Sequence, residues 1–378
     1  MRDEMTGLDS YQVCSFCVMD TTDPEITFDE NGRCNHCVAA EKKLAENWFP
    51  NENGEKKLKA IAEEIKRNKG SKEYDSIIGI SGGIDSSYLL HLAKVEMNLN
   101  PLVVHVDAGW NSEIAVNNIE KMVKKLDLDL FTYVVDWHEM RDLQVAYLKS
   151  SLANQDVPQD HAFFAKLYQI ADENNISYTI TGSNLTSESI LPASWGYDAS
   201  DSIQIKAVFD KFGQGTLKNY PIMSWWKNKI YWPYLRRMKI IRPLNFIDYN
   251  KNEAIRFLQI NYDWQYYGGK HHESKWTKFF QAHYLPKKFG FDKRKAHLSS
   301  MIVAGQITRD EALKELSKPL YNERDLKEDM FFIEKKLNLE EGMLVKLMQL
   351  PNKSYMDYPN DRKIIGLFRS MKRIFLRK

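Results

Sequence analysis

Short apolar runs alternate with helical repeats through residues 74–182. Four runs have the length and composition of buried strands: Ser76–Ile80, Leu102–Val106, Leu130–Val135 and Ser177–Thr181. Between these runs, apolar side chains recur every three or four residues, which predicts helices. Continuous apolar strands that alternate with helices are typical of a parallel sheet covered on both faces. The pattern therefore predicts an α/β fold with a doubly wound parallel sheet.

Outside this region the pattern is mostly helical. The Lys/Glu-rich segment 52–72 has apolar residues on one face, which predicts a surface helix. Residues 183–378 predict helices that are separated by several long loops. From these changes of pattern we expect four parts of the chain, namely residues 1–45, 52–72, 74–182 and 183–378.

The composition is that of a globular protein in water. Hydrophobic residues make up 43% and charged residues 28% of the chain, and no run of 18 apolar residues predicts a membrane span. The N-terminal residues lack the apolar stretch of a signal peptide, so we expect a cytoplasmic protein. The net charge is only +2, although residues 362–378 alone carry seven basic side chains. The remainder is therefore net acidic, which argues against a broad nucleic-acid surface.

A candidate phosphate-binding loop follows the first strand, with the sequence Ser-Gly-Gly-Ile-Asp-Ser-Ser at positions 81–87 (the Ser81–Ser87 loop). Glycines between a strand and a helix let backbone N–H groups approach an anion closely. The helix N-terminus adds unpaired donors and the positive end of its dipole. The hydroxyls of Ser86 and Ser87 add further donors, and Asp85 can hold Mg²⁺ beside a polyphosphate. We therefore interpret the loop as a phosphate cradle.

Two other interpretations of this loop stay open. Residues 79–83 also fit Gly-x-Ser-x-Gly, the nucleophile elbow of α/β-hydrolases. That fold needs strands upstream, where this chain has cysteines and a helical pattern. The second alternative is a structural glycine turn without a ligand. Neither a Walker A sequence nor the Gly-x-Gly-x-x-Gly fingerprint of dinucleotide-binding proteins occurs in the chain.

Polar residues also follow two other predicted strands. Asp107 comes after the second strand, and Thr181-Gly182-Ser183-Asn184 follows the fourth. Because ligands bind at the carboxyl ends of parallel strands, Asp107, Gly182 and Asn184 are candidates for a nucleotide pocket. Lys206 is a candidate for contact with a phosphate, although a surface lysine is an equally good interpretation.

The four cysteines of the chain form two Cys-x-x-Cys pairs, Cys14/Cys17 and Cys34/Cys37, which are separated by 16 residues. This spacing is typical of a closed structural zinc site. A turn at Asn31-Gly32 joins the two pairs as a hairpin. Two disulfides, a redox pair and an iron–sulfur cluster are the alternatives, and spacing alone does not distinguish zinc from iron. Disulfides are disfavoured in a cytoplasmic protein.

A third segment, residues 266–295, combines a glycine pair, three histidines and many basic side chains. Such cations suit the diphosphate of a nucleotide-linked sugar. The basic residues within 287–295 are equally typical of a solvated helix face. Zinc binding by His271 and His272 is disfavoured, because adjacent residues face different sides of a helix.

The loop resembles the PP-loop of the ATP pyrophosphatase superfamily, whose fold is adenine nucleotide alpha hydrolase-like. Together with the cysteine pairs, the Thr181–Ser187 sequence TGSNLTS and the 268–280 block GGKHHESKWTKFF, it resembles the N-acetyl sugar amidotransferase family. The resemblance covers roughly Val13 to Pro359. It makes residues 1–45 a zinc-knuckle module, 52–250 the PP-loop ATP pyrophosphatase domain, and 251–378 a helical substrate or partner region.

The resemblance implies an ATP-dependent enzyme of O-antigen and lipopolysaccharide biosynthesis. Its family converts an acetamido group on a nucleotide-linked sugar into an acetamidino group through an O-adenylyl intermediate. The implied cofactors are structural Zn²⁺ and catalytic Mg²⁺ held by Asp85, with ATP as co-substrate. The implied ATP-binding residues are Ser81, Gly82, Gly83, Asp85, Ser86, Ser87, Asp107, Gly182 and Asn184. The implied sugar-binding residues are Lys270, His271, Glu273, Thr277 and Lys278. The implied catalytic residues are Ser81, Asp85, Lys206, His271 and Glu273.

The nitrogen source is expected to be another protein. A glutaminase needs a nucleophilic cysteine, whereas no Cys follows Met1 and all four cysteines belong to the predicted zinc site. The family resemblance implies a separate glutaminase subunit and a cyclase-like ammonia-channel subunit as partners.

Two rival interpretations of the function stay open. PP-loop enzymes that thiolate tRNA also carry cysteine knuckles, but they need further cysteines and a basic surface. A zinc scaffold without catalysis does not explain the Asp-Ser-Ser that follows the glycines. The basic amphipathic tail, residues 362–378, can lie on an anionic membrane, although packing against protein is the commoner arrangement.

Overall fold

A five-stranded parallel sheet forms the centre of the protein. The structure is a computed structural model, and it describes residues 11–195, 198–267, 274–362 and 364–366. The strands lie in the order β3-β2-β1-β4-β5. Their bounds are β1 Ser76–Gly79, β2 Pro101–Asp107, β3 Leu130–Val134, β4 Tyr178–Ile180 and β5 Lys239–Ile241. The predicted α/β class and the doubly wound sheet are confirmed.

The strand order creates a switch point between β1 and β4. The chain builds outward from β1 through β2 to β3, and then crosses back to place β4 and β5 on the other side. Ile78 of β1 pairs with Val103 of β2 on one side and with Ile180 of β4 on the other. Ligands bind beyond the carboxyl ends of strands at such a point. The Ser81–Ser87 loop and the segment after β4 both lie at this position.

The two faces of the sheet bury two separate cores. Alternate residues of a strand point to opposite faces, so Ile77 and Val104 belong to one core while Ile78 and Val103 belong to the other. The core that contains Ile77 continues into the cysteine module and the C-terminal helices. The cysteine module and helices from Trp276 onward therefore pack on the same face of the sheet, whereas Ala254 and Leu258 pack in the other core.

Fifteen α-helices surround the sheet in the described parts of the chain. Those before β4 are α1 Asn35–Asn47, α2 Glu52–Lys69, α3 Ile84–His91, α4 Glu113–Leu126, α5 Trp137–Ser150 and α6 Val157–Glu173. Those after β4 are α7 Leu185–Glu188, α8 Ser202–Phe212, α9 Lys251–Tyr262, α10 Lys275–Phe279, α11 Leu285–Phe289, α12 Lys293–Val303, α13 Arg309–Leu316, α14 Glu323–Lys336 and α15 Met343–Met348. Residues Leu92–Glu96, Lys227–Leu235 and Phe280–Tyr284 form π-helical turns.

Local capping explains several helix bounds. The side chain of Asn51 accepts from the N–H groups of Asn53 and Gly54 at the start of α2, and Gly70, with φ +57°, ends it. The predicted helix 52–72 is thus three residues shorter. Asn250 caps α9 in the same way as Asn51 caps α2, so the expected division at residue 250 coincides with a helix start.

Two elements were absent from the sequence-based expectation. The edge strand β5 has only three residues, too few for a periodic signal. Helix α1 begins within the second cysteine pair and runs through residue 45, the expected end of the cysteine module. No helix of the described residues is long and apolar enough to cross a membrane.

Candidate functional site

The Ser81–Ser87 loop has the geometry of a phosphate cradle. Gly82 has φ +76°, and a Cβ atom at this position would lie 2.3 Å from the carbonyl oxygen of Ala115. The Ser81 hydroxyl lies 3.3 Å from the Ser86 hydroxyl and accepts from the Gly83 N–H at 3.3 Å. The serine hydroxyls therefore hold the loop in an open turn at the N-terminus of α3.

Asp85 and Ser87 are anchored by aromatic residues from later in the chain. A carboxylate oxygen of Asp85 accepts a hydrogen bond from the buried hydroxyl of Tyr249. Burial, followed by the negative charge of Asp85, raises the pKa of Tyr249 well above its usual value. The Ser87 hydroxyl is fully buried and accepts from the Trp264 indole N–H at 3.1 Å. The Ser87 side chain thus fixes α3 to the core, whereas the Ser86 hydroxyl faces the loop and lies beside the Ser81 hydroxyl.

The segment after β4 packs directly on the loop. A Cβ atom at Gly182 would lie 3.1 Å from the carbonyl group of Asp85, so this close approach favours glycine. Asn184 is buried and caps α7 by accepting from the Ser187 N–H at 3.1 Å. The structure therefore places Gly182 against the loop and gives Asn184 a capping role.

Asp107 lies at the end of β2, as predicted. Its carboxylate accepts from the Gly109 N–H at 2.7 Å and from the Asn111 side-chain amide at 3.1 Å. The ammonium group of Lys336, at the end of α14, lies 4.9 Å from the centre of the Trp137 ring. Burial lowers the pKa of Lys336, and the charge of Asp107 opposes this effect. Lys336 is a cation near the strand ends that the sequence pattern did not reveal.

A cavity of about 530 Å³ opens beside the loop, and we call it the central cavity. Its wall includes polar residues from the strand ends and from three helices: Ser81, His105, Asp156, Asp160, Thr277 and Lys293. Its apolar wall includes Ile80, Val106, Phe163, Phe164, Ile190 and Leu191. The cavity therefore joins the PP-loop to residues from the last third of the chain.

Among the predicted sugar-binding residues that the structure describes, Thr277 lines this cavity. Its hydroxyl donates to Asp156 at 3.2 Å and accepts from the Gln159 amide at 2.7 Å. Helix α10, which carries Thr277, is tied to the end of β2 by a bridge between Ser274 and Asn111. The sequence block around Thr277 is thus held against the carboxyl edge of the sheet.

The other predicted catalytic and sugar-binding residues either lie away from the central cavity or fall outside the residues that the structure describes. Lys206 is exposed on α8 and is not among the residues that line the central cavity. The Lys278 ammonium pairs with Asp329 at 3.0 Å and lies over the ring of Tyr321. The remaining predicted residues lie outside the described residues: Lys270, His271 and Glu273.

Two carboxylates of the cavity were missed by the sequence analysis. Asp156 precedes α6, and Asp160 lies one turn later on the same helix. Burial is the main cause that raises the pKa of Asp156 to about 6 and that of Asp160 to about 8. Acidic residues in a first helical turn normally indicate capping, which is why they carried no functional signal. The buried His161 beside them is a satisfied core residue, since it bonds Ala199 O and the Met223 N–H.

The four cysteines form one buried cluster. Their sulfur atoms all lie within 4.8 Å of one another, with closest pairs at 3.5, 3.7 and 3.9 Å. Zinc–sulfur bonds of about 2.3 Å in a tetrahedron imply sulfur separations of about 3.8 Å. The N–H groups of Phe16, Cys17 and Cys34 donate to the Cys14 sulfur at 3.3–3.4 Å, as expected for a thiolate. The ligand set therefore fits zinc in a closed structural site.

Two known protein families match separate segments of the chain, and each segment contributes residues to the central cavity. Residues 76–250 match the phosphoadenosine phosphosulfate reductase domain, a PP-loop domain, and residues 273–373 match the C-terminal domain of WbpG-like LPS biosynthesis proteins. Residues 76–250 are thus a PP-loop domain, and residues 273–373 are a WbpG-like C-terminal domain. Thr277 and Lys293 lie in the WbpG-like domain, whereas Ser81 and Asp160 lie in the PP-loop domain.

Individual relatives are more distant. The uncharacterized protein MJ1599 of Methanocaldococcus jannaschii is 30% identical over 129 residues, which are 34% of this chain and 44% of that protein. The chain thus matches less than half the length of this curated relative. The NMN synthetase from Francisella tularensis is 17% identical, with a TM-score of 0.30 over 55% of this chain and 85% of that chain. The NH3-dependent NAD synthetase from Campylobacter jejuni is 18% identical, with a TM-score of 0.28 over 56% and 84%.

Proposed function

We propose that the protein is an ATP-dependent amidotransferase that converts the acetamido group of a nucleotide-linked sugar into an acetamidino group. The observation that supports this proposal most strongly is the central cavity. It joins Ser81 of the PP-loop domain to Thr277 of the WbpG-like domain. A phosphate-binding loop beside a region typical of LPS biosynthesis suits activation of a sugar substituent by ATP.

The proposed reaction has two steps. The acetamido oxygen attacks the α-phosphorus of ATP, and the bond to the oxygen that bridges the α- and β-phosphates breaks to release pyrophosphate. The acetamido N–H proton passes to solvent, which leaves a neutral O-adenylyl imidate. Ammonia then adds to the imidate carbon, and the carbon–oxygen bond breaks as AMP leaves with the electron pair. The product is the amidine. Adenylation is required because it converts a poor oxygen leaving group into AMP.

The loop supplies positioning and electrostatic stabilisation in this proposal. The N-terminus of α3 and the Ser81 and Ser86 hydroxyls bind the β,γ-phosphates. Asp85 offers a hard oxygen ligand at the mouth of the loop, which fits Mg²⁺. Mg²⁺ bound there supplies charge neutralisation at the phosphates. Tyr249 keeps the Asp85 carboxylate in place.

Ammonia is proposed to come from a separate glutaminase subunit. The chain contains four cysteines, and all of them lie buried in the one cluster. A cysteine nucleophile for glutamine hydrolysis must therefore lie on another protein. A cyclase-like partner that passes ammonia to the cavity completes the proposed assembly. The cysteine cluster holds Zn²⁺ and has a structural role.

The direct test is the release of AMP and pyrophosphate from ATP. Purified protein is assayed with ammonium chloride and a panel of nucleotide-linked acetamido sugars, and separately with bulk tRNA. We expect AMP formation that needs both one of the sugars and ammonium. AMP formation with tRNA alone would overturn the proposal in favour of RNA modification.

Variants of the loop connect this activity to the geometry. Ser81→Ala and Asp85→Ala should each lower AMP formation by about 100-fold or more. Ser81→Ala removes a hydroxyl that donates to the phosphates, and Asp85→Ala removes the carboxylate that would hold the neutralising Mg²⁺. Ser71→Ala changes an exposed serine outside the cavity and should leave the rate unchanged. Equal activity of all three variants would contradict the assignment of the site.

A further inference from the structure

Asp156 and Asp160 both lie on the wall of the central cavity. Asp156 immediately precedes α6, and Asp160 lies four residues later in its first turn. Residues with this spacing lie one above the other on a helix. The Asp156 carboxylate accepts from the Thr277 hydroxyl at 3.2 Å and from the Gln159 amide at 2.7 Å. The hydrogen bonds of the described residues give the Asp160 carboxylate no partner. Asp156 is thus held in place, whereas Asp160 is available to a ligand.

The charged and titratable groups around Asp160 come from several elements. Asp156 precedes α6, and α12 contributes Lys293 and His297 to the same wall. Strand β2 and helix α7 contribute His105 and Glu188. The charge of Asp160 also acts on the buried Tyr220, whose hydroxyl donates to the carbonyl of Pro158 at 2.6 Å.

The balance of charge around the pair favours one shared proton or one bound cation. Among the described residues, Lys293 is the lysine whose charge acts on both carboxylates, and the negative charge of Asp156 also raises the pKa of Asp160. Two such like charges resist simultaneous ionisation. The apolar part of the wall, including Phe163 and Phe164, strengthens this effect by excluding water. A small cation that carries its own proton, such as ammonium, relieves the repulsion by giving a proton to Asp160.

We infer that Asp160 is the catalytic base that receives a proton from the incoming ammonium ion, with Asp156 as the residue that positions it. This inference rests on the proposed function. Ammonium transfers one proton to the Asp160 carboxylate and becomes ammonia. The nitrogen lone pair then forms the carbon–nitrogen bond, AMP leaves, and the amidinium product keeps the other three hydrogens. Asp160 later releases its proton to solvent. The pKa of Asp160 is raised by burial and then by Asp156 to about 8. A minority of this carboxylate is therefore ionised at pH 7 and about half at pH 8, and the ionised form is the base.

The experiment compares two nitrogen nucleophiles in Asp160→Asn. Ammonium must lose a proton before it attacks, whereas hydroxylamine is largely neutral near pH 7. We expect Asp160→Asn to form amidine from ammonium about 100-fold more slowly, as for loss of a general base. Its reaction with hydroxylamine should fall far less, and Asp160→Glu should recover part of the ammonium rate. Glu173→Gln, which changes an exposed carboxylate at the other end of α6, should match the wild type.

Two further measurements separate this inference from the proposed function. Sugar-dependent exchange of pyrophosphate into ATP, without a nitrogen donor, should persist in Asp160→Asn. Equal loss with both nucleophiles, or no loss with either, would overturn the role of Asp160 while leaving the exchange and the proposed function intact. An arm without sugar compares melting temperatures in ammonium chloride and tetramethylammonium chloride. Ammonium should stabilise the wild type but not Asp160→Asn, and equal behaviour of the two proteins overturns the ammonium site even if no sugar supports AMP formation.

Discussion

At the scale of single residues, the site depends on positions whose surroundings permit one kind of side chain. Gly82 has a positive φ, and a Cβ atom placed there would approach the Ala115 carbonyl oxygen to 2.3 Å. Gly290 has the same φ of +76° but no neighbour within 4 Å of such an atom. An alanine at Gly290 would therefore suffer only the strain of a left-handed backbone, whereas an alanine at Gly82 would also clash with Ala115.

Gly82→Ala should abolish AMP formation, because the loop must move away from Ala115 to admit the methyl group. Gly290→Ala should cost only about 1 kcal/mol from its left-handed backbone and should retain activity. Denaturant unfolding and the AMP assay measure both variants. Equal losses in the two proteins would show that the contact with Ala115 has no influence on the loop.

The raised pKa of Asp160 should make the free energy of unfolding depend on pH. Its pKa in the folded protein, about 8, lies above the ordinary value of 3.8, so the folded state binds this proton more tightly than the unfolded state. Its contribution to stability is therefore present at low pH and is lost as pH rises from about 4 through about 8. One unit of pKa shift corresponds to about 1.4 kcal/mol.

Asp160→Asn should accordingly melt higher than the wild type at pH 8.5, with a smaller difference at pH 5. Melting temperatures measured across this range test the expectation. Glu173→Gln is the matched control and should keep the wild-type dependence on pH. Parallel curves for Asp160→Asn and the wild type would mean that Asp160 does not hold its proton as described.

At the scale of elements, the cysteine module supports the C-terminal helices. The Val18 N–H donates to the Ser299 hydroxyl of α12 at 3.2 Å. The Arg309 guanidinium of α13 donates to the carbonyl oxygens of Cys14 and Cys17 at 3.3 and 3.2 Å. The cluster therefore fixes the backbone on which α12 and α13 rest. Since α12 carries Lys293, a metal at the cysteines stabilises one wall of the central cavity indirectly.

Cys34→Ser should remove bound zinc and lower the melting temperature. Hydrogen exchange should rise in α12 and α13, because their anchors on the module loosen. His36→Ala is the matched control, since the His36 ring bonds Asp23 at 2.6 Å rather than a cysteine sulfur. It should keep about one zinc per chain by elemental analysis. Iron with the visible absorption of a cluster in the purified protein would contradict the zinc assignment.

The sequence predicts elements better than it predicts contacts between them. The four predicted strands, the Ser81–Ser87 loop and the cysteine spacing each produce a local pattern, and the structure has all of them. Asp156 and Asp160 acquire their character only from burial beneath α10 and α12, which come more than a hundred residues later. The sequence likewise indicates that Ser87 donates to the phosphate, whereas in the structure its hydroxyl accepts a hydrogen bond from the Trp264 indole N–H. Local pattern does not report such long-range partners.

At the scale of the whole molecule, the sheet brings three regions to one edge. The PP-loop domain supplies the proposed phosphate cradle, and the WbpG-like domain supplies Thr277 and Lys293. The cysteine module supports the helix that carries Lys293. The bridge between Ser274 and Asn111 joins the last third of the chain to the end of β2. In the proposed function, ATP and the second substrate meet in the central cavity, and AMP is transferred between them.

Transfer of the acetamido oxygen to AMP is the central claim, and an isotope measurement tests it most directly. The sugar that supports AMP formation is prepared with ¹⁸O in its acetamido carbonyl and is incubated with ATP, Mg²⁺ and ammonium. Mass spectrometry then locates the label. The account predicts that the ¹⁸O appears in the phosphate of AMP, with one nitrogen gained by the sugar. Label that stays in the sugar, or that appears in inorganic phosphate beside ADP, would contradict it.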